Sequence, residues 1–123
     1  MKKILIAEDD PMLADIYSRK FEIGGFEVIL ASTGLEAVNK ARETKPDVIL
    51  LDLVLPEIDG FEALKQIRED KNLDKTKIII SSNLSQEDER QRAEDLGANG
   101  FITKANFTPQ EMIEKVQEAL LDN

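Results

Sequence analysis

Acidic residues stand where apolar runs end. Val48-Ile49-Leu50-Leu51 is closed by Asp52, and Ile4-Leu5-Ile6-Ala7 by Glu8-Asp9-Asp10. Two further runs, Ile78-Ile79-Ile80 and Phe101-Ile102, lead into Ser81-Ser82 and Thr103-Lys104. Carboxylates brought close together repel, and alone they force one of their number to hold a proton. A divalent cation relieves that repulsion. The chain has no His and no Cys, and an all-oxygen ligand set suits Mg²⁺ or Mn²⁺ rather than zinc. An aspartate beside such a cation can act as a nucleophile toward phosphorus and carry an acyl phosphate. An ammonium such as Lys104 and a hydroxyl such as Ser82 would neutralise the transferring oxygens. Each residue alone has an ordinary explanation: a turn cap for Asp52, a helix N-cap for Asp10, a turn residue for Ser82, a surface charge for Lys104. Their joint occurrence at four strand ends points to phosphoryl chemistry.

The elements that must position these groups alternate in type. Lys3 to Glu8 reads as a strand, and Pro11 opens a helix whose apolar positions Met12, Leu13, Ile16, Tyr17 and Phe21 recur at helical spacing until Gly24-Gly25. Glu27 to Ala31 is a second strand, followed by a helix through Leu35, Val38 and Ala41 that ends at Lys45-Pro46, because the residue before proline is pushed out of the α region. Asp47 to Asp52 is a third strand, apolar enough to be buried on both faces. Pro56 to Gly60 then turns the chain into a helix with Phe61, Leu64 and Ile67 inside. Lys77 to Ser82 is a fourth strand, residues 86–96 a helix polar nearly all round, and Asn99 to Thr103 a fifth strand. Thr108, Pro109 and Glu111 form a capped start to a last helix carrying Met112, Ile113, Val116 and Leu120. Five β-α units predict one α/β domain over residues 1–123, a doubly wound parallel sheet with helices on both faces. In the strand order 2-1-3-4-5, Asp9 and Asp52 would face each other across a cleft at the C-terminal edge, with Ser82 and Lys104 closing its other side.

A net charge of −9 argues against binding to nucleic acid or anionic lipid. Most of that charge reads as solvated helix face, including Arg68-Glu69-Asp70-Lys71 and residues 86–90. No apolar run approaches the ~20 residues of a membrane span, no cleavable signal precedes the first strand, and the absence of cysteine fits a cytoplasmic chain.

Across its length the sequence resembles a response-regulator receiver domain of two-component signalling, with a flavodoxin/CheY-like fold. The pieces that carry the likeness are Ile4-Leu5-Ile6-Ala7-Glu8-Asp9-Asp10, Asp52-Leu53-Val54-Leu55-Pro56-Glu57-Ile58-Asp59-Gly60, Ile78-Ile79-Ile80-Ser81-Ser82 and Gly97-Ala98-Asn99-Gly100-Phe101-Ile102-Thr103-Lys104. The resemblance implies a phosphoprotein that carries an aspartyl phosphate on Asp52. Asp9 is the implied direct Mg ligand, Glu8 a ligand through metal-bound water, and the Val54 backbone carbonyl a further contact. Ser82, not Ser81, fits the switch hydroxyl, Lys104 pairs with the phosphoryl oxygen, and Phe101 stands at the aromatic switch position. Two departures are visible. Ala105 follows Lys104 where the family usually has proline, often through a cis bond; cis costs about 2.5–4 kcal/mol without proline, and the sequence leaves the geometry of the Lys104–Ala105 peptide open. Phe101 replaces a frequent tyrosine, which removes any signal through a hydroxyl there.

The implied function is that of a phosphorelay receiver. It takes a phosphoryl group from a histidine kinase or histidine phosphotransfer protein and signals by conformational change to a protein effector, with no enzymatic turnover beyond self-phosphorylation and autodephosphorylation. Two rivals weigh less. An aspartate-nucleophile phosphatase needs a second aspartate two residues after the first, where Val54 stands. A flavin module needs a hydroxyl- and glycine-rich loop after the first strand, where Glu8-Asp9-Asp10-Pro11 would repel a phosphate. The chain ends soon after its fifth helix, so a stand-alone receiver is expected. The apolar arc of the first helix is wider than one core face needs, which makes Met12 and Ile16, with Ala105, the expected docking surface for the phosphodonor. The polar fourth helix is the expected mobile element. Apolar Val54 and Leu84, at positions that could orient a hydrolytic water, predict a long-lived phosphoryl group.

Overall fold

The computed structural model of the protein describes residues 1–83 and 86–121. In chain order the elements are β1 (Lys3–Ala7), α1 (Pro11–Ile23), β2 (Glu27–Ala31), α2 (Gly34–Thr44), β3 (Val48–Leu51), α3 (Gly60–Glu69), β4 (Lys77–Ser82), α4 (Glu87–Asp95), β5 (Gly100–Thr103) and α5 (Pro109–Leu121). The strands form one parallel sheet in the order β2-β1-β3-β4-β5, as expected. The helix starts follow the capping signals. Asp10 Oδ1 accepts the N–H groups of Met12 and Leu13 at 2.9 and 3.4 Å. Thr33 caps α2 through Glu36 N–H at 3.0 Å, and Thr108 and Glu111 exchange hydrogen bonds of 2.8 and 3.1 Å in a reciprocal capping box.

Alternation along the strands divides the core into two layers. Leu5, Ala7, Ile49, Leu51, Ile78 and Ile80 pack against α2, α3 and Ala93 of α4. Ile4, Ile6, Val48, Leu50, Ile79 and Ile102 pack against Tyr17 and Phe21 of α1 and Met112, Ile113 and Val116 of α5. All four residues of β3 are buried, because the strand lies at the sheet's centre with a layer on either side.

Several expectations need correction. Three strands are shorter than their apolar runs suggested: Glu8 and Asp52 lie just beyond β1 and β3, and Asn99 lies before β5. Helix α4 runs from Glu87 to Asp95, with Gln86 and Leu96 as its caps. Leu35 is exposed, because α2 buries Gly34, Ala37, Val38 and Ala41, a spacing that turns Leu35 away from the core. Two short 3₁₀ turns, Lys71–Leu73 and Lys104–Asn106, carry no apolar periodicity and were not legible. Arg68 is no solvated charge: it is half-buried and donates to the carbonyls of Gly97 (2.9 Å) and Leu73 (3.0 Å) and to Asn99 Oδ1 (2.8 Å). Burial lowers its pKa.

Between Pro56 and Ile58, Glu57 adopts φ 73°, a left-handed conformation that costs an L-residue about 1–2 kcal/mol. Glycine escapes that cost but loses roughly 0.5–1 kcal/mol through its greater freedom when unfolded. Glu57→Gly should therefore stabilise the chain by about 0.5–1 kcal/mol, read as a higher urea midpoint at unchanged slope. A lower midpoint would show that the loop stores no strain at this position.

Candidate functional site

The central strands deliver their last residues to one edge. Ala7 pairs with Leu51, Leu51 with Ile80, and Ser82 with Thr103. Two backbone bonds continue the ladder past the strands: Asp52 N–H donates to the Ala7 carbonyl at 3.2 Å, and Glu8 N–H to that of Ala31 at 3.0 Å. These bonds set Glu8 beside Asp52. Both are charged side chains in a buried setting, Glu8 5% and Asp52 7% exposed, whereas Asp9 is open to solvent.

One ligand oxygen from each of Glu8, Asp9 and Asp52 lies within 4.8 Å of the others. A single ammonium answers them. Lys104 Nζ donates to Asp52 Oδ2 at 2.7 Å and also to Glu8 Oε1. Asp52 Oδ1 accepts the Val54 N–H at 3.1 Å, so the turn-capping explanation holds as well, without excluding another role. Glu8 Oε2 accepts the Asp10 N–H at 3.1 Å. Burial pushes the Glu8 carboxyl above its ordinary value, and Lys104 and the Asp10 N–H pull it back only in part. Burial also works to depress Lys104, but hydrogen bonds and charge from Asp52 and Glu8 outweigh it, and the ammonium is held above its ordinary value. Three carboxylates facing one cation leave an excess of negative charge made only of oxygen donors, which fits a divalent metal. Such an ion would be held by Glu8, Asp9 and Asp52, with Val54 alongside in the Asp52 turn.

The loop after Asp52 is pressed tightly against it. Gly60 N–H donates to the Leu53 carbonyl at 2.8 Å, and a β-carbon on Gly60 would lie 2.2 Å from the Asp52 carbonyl oxygen. Only glycine fits there. On the other side, the Lys104–Ala105 peptide is trans, as no peptide among the described residues is cis. The chain turns through Lys104–Asn106, and the Ala105 N–H donates to Asn83 Oδ1 at 2.9 Å. Asn83 was not singled out in the sequence, although a side-chain acceptor directly after the β4 hydroxyls is the available signal. Ser82 is buried at the end of β4 and Phe101 half-buried on β5. Met12 is 73% and Ile16 37% exposed, while Tyr17 and Phe21 of the same helix are buried, so the arc of α1 is wider than its core face. Val54 is 59% exposed at the mouth of the site. Leu84 lies outside the described residues.

A family model described as the response regulator receiver domain matches residues 4–117. The chain is 36% identical, over 97% of its length, to the alkaline phosphatase synthesis transcriptional regulatory protein PhoP of Bacillus subtilis strain 168, of which it spans about half, 48%. It is 31% identical to the polar-differentiation response regulator DivK of Brucella ovis, covering 98% of each chain. Among solved structures it resembles a BeF3-activated DrrB receiver domain, with a TM-score of 0.86 at 27% identity over 98% of both chains. No helix among the described residues is long and apolar enough to cross a membrane.

The burial of Glu8 has a measurable consequence. A carboxyl whose folded value is raised contributes stability below the unfolded value of 4.5 and loses it as pH rises through the folded value. Glu8→Gln should therefore raise the Tm of the metal-free chain near neutral pH, by an amount that shrinks as pH falls toward 4.5. Mg²⁺ at ten times its Kd should stabilise the native chain by about 1.4 kcal/mol, a few degrees in Tm. The increment should be smaller in Asp9→Asn. Equal Mg²⁺ increments in the native chain and in Asp9→Asn would remove Asp9 from the ligand set.

Proposed function

The chain belongs to the response-regulator receiver family, and we propose that within it Asp52 is the phosphoacceptor. It is a phosphorylatable signalling domain whose acidic cluster of Glu8, Asp9 and Asp52 is poised for phosphoryl transfer. The observation that supports Asp52 in particular is its placement. It follows the fully buried central strand, with one oxygen on the Lys104 ammonium, the other on a backbone N–H, and oxygens of Glu8 and Asp9 within 4.8 Å.

In this reading an Asp52 oxygen attacks the phosphorus of a phosphohistidine on the donor. The new O–P bond forms as the P–N bond breaks, and the released imidazole takes its proton from solvent. Lys104 follows the charge from the carboxylate to the phosphoryl oxygen. Glu8, Asp9, Asp52 and the Val54 carbonyl hold Mg²⁺ (or Mn²⁺), which when bound neutralises the oxygens of the transferring group. Ser82 is drawn toward the new phosphoryl group, Phe101 turns toward the space it leaves, and the surface of β4, α4 and β5 repacks, which shifts a two-state equilibrium. The Val54 side chain offers neither donor nor acceptor at the mouth of the site, which favours slow hydrolysis and a role in relay or sustained signalling.

Family membership implies a phosphodonor partner and a downstream effector. We assign the donor, a histidine kinase or phosphotransfer protein, to the apolar side chains of Met12, Ile16 and Ala105, all of them exposed.

Asp52→Asn should abolish base-labile phosphate incorporation from acetyl phosphate or a kinase. One phosphoryl group detected by intact mass on that variant would displace Asp52 as the acceptor. Met12→Lys should slow transfer from a protein donor about tenfold, the equivalent of ~1.4 kcal/mol, while labelling by acetyl phosphate persists. Equal loss with both donors would mean that Met12 serves folding instead of docking.

A further inference from the structure

Helix α4 has almost nothing apolar with which to dock. Of Glu87–Asp95 only Ala93 is buried, and a helix of this length is not stable in water without packing. One turn before Ala93, on the same face, Glu89 is half-buried. Its Oε2 is sealed from solvent and has no hydrogen-bond partner among the described residues, which weakens the seat further. Besides Ala93, what joins α4 to the domain among the described residues is a pair of guanidinium-over-ring contacts. Arg92 Cζ stands 4.1 Å from the ring centroid of Phe61, and Arg90 Cζ 5.0 Å from that of Phe101.

The two rings belong to the two halves of the phosphoacceptor site. Phe61 directly follows Gly60, which packs on the Asp52 carbonyl. Phe101 lies on the strand that runs into Lys104. The anchors are unequal, since Phe61 of α3 is buried in the core layer on that face of the sheet. Phe101 is only half-buried, and its groove is lined by Ile79, Arg90, Gly100 and Lys115.

We infer that Arg90 and Arg92 are positioning residues that couple α4 to the site. Arg92 on Phe61 is the fixed pivot, and Arg90 on Phe101 is a latch that holds the unphosphorylated arrangement. The inference rests on the reading of Phe101 as the switch aromatic. A cation is attracted to the face of a ring. A Phe101 ring that turns toward Ser82 presents that face elsewhere and gives the attraction up. Phosphorylation must supply the difference, so the latch raises the threshold for activation.

The test is a beryllofluoride titration with Mg²⁺, followed by NMR of the Phe101 ring and the Ala93 amide. Arg90→Ala should lower the beryllofluoride concentration at half-conversion about two- to fivefold, the scale of an exposed cation–π contact. Arg90→Lys, which keeps the cation without the planar stack, should fall between the two. In a Phe101→Leu background, followed at Ala93, Arg90→Ala should have no effect. Arg92→Ala should speed amide exchange along α4 with or without beryllofluoride. An unchanged midpoint in Arg90→Ala, or the same shift with and without the Phe101 ring, overturns the latch while leaving the switch reading intact. A Phe101 ring in the native chain that does not respond to beryllofluoride overturns the switch reading and the latch together.

Discussion

Three carboxylates and one ammonium share the C-terminal edge of the sheet, and the rest of the molecule is arranged around keeping them there. Lys104 bridges Glu8 and Asp52 in a setting where both acids are nearly shut off from water. Taking such charges out of water is costly, and one cation cannot balance three anions. The result is a site that favours added positive charge, and burial pushes the Glu8 carboxyl upward as well. That imbalance suits the cluster to a divalent cation. An evenly paired salt bridge would not.

The scaffold can hold such a site because its own energetics do not depend on it. Two apolar layers clamp a sheet whose central strand is buried on both faces, so the strand ends are fixed by burial that the charged edge does not share. Gly60 lets the loop after Asp52 close onto the Asp52 carbonyl, and Asn83 holds the turn that begins at Lys104. Burial is nearly complete along β1 and β3, which the acids directly follow. It falls toward α4, which has one buried residue and two ring contacts.

Much of this was legible in the residues. Apolar runs ended by Asp52 and by Glu8-Asp9-Asp10 marked strands and the edge they share, and Thr108 with Glu111 marked a helix start down to the reciprocal hydrogen bonds. The wide arc of α1 foretold that Met12 and Ile16 would remain at the surface. Charged residues were harder to place. Arg68 sits in a run that looks like solvated helix, yet its guanidinium ties α3 to the approaches of β4 and β5. Arg90 and Arg92 look equally ordinary until the rings beneath them are known.

The sequence by itself determined the order of elements, the two-faced burial of β3 and which residue types reach the functional edge. Those properties are local, written in hydrophobic period and in capping residues that act within a turn of where they stand. Only the tertiary structure decided that Lys104 spans both Glu8 and Asp52, that Gly60 touches the Asp52 backbone, and that α4 rests on two rings from different elements. Each of these joins residues far apart in the chain. Their energies depend on distance and burial, and neither quantity exists until the sheet has brought the strand ends together.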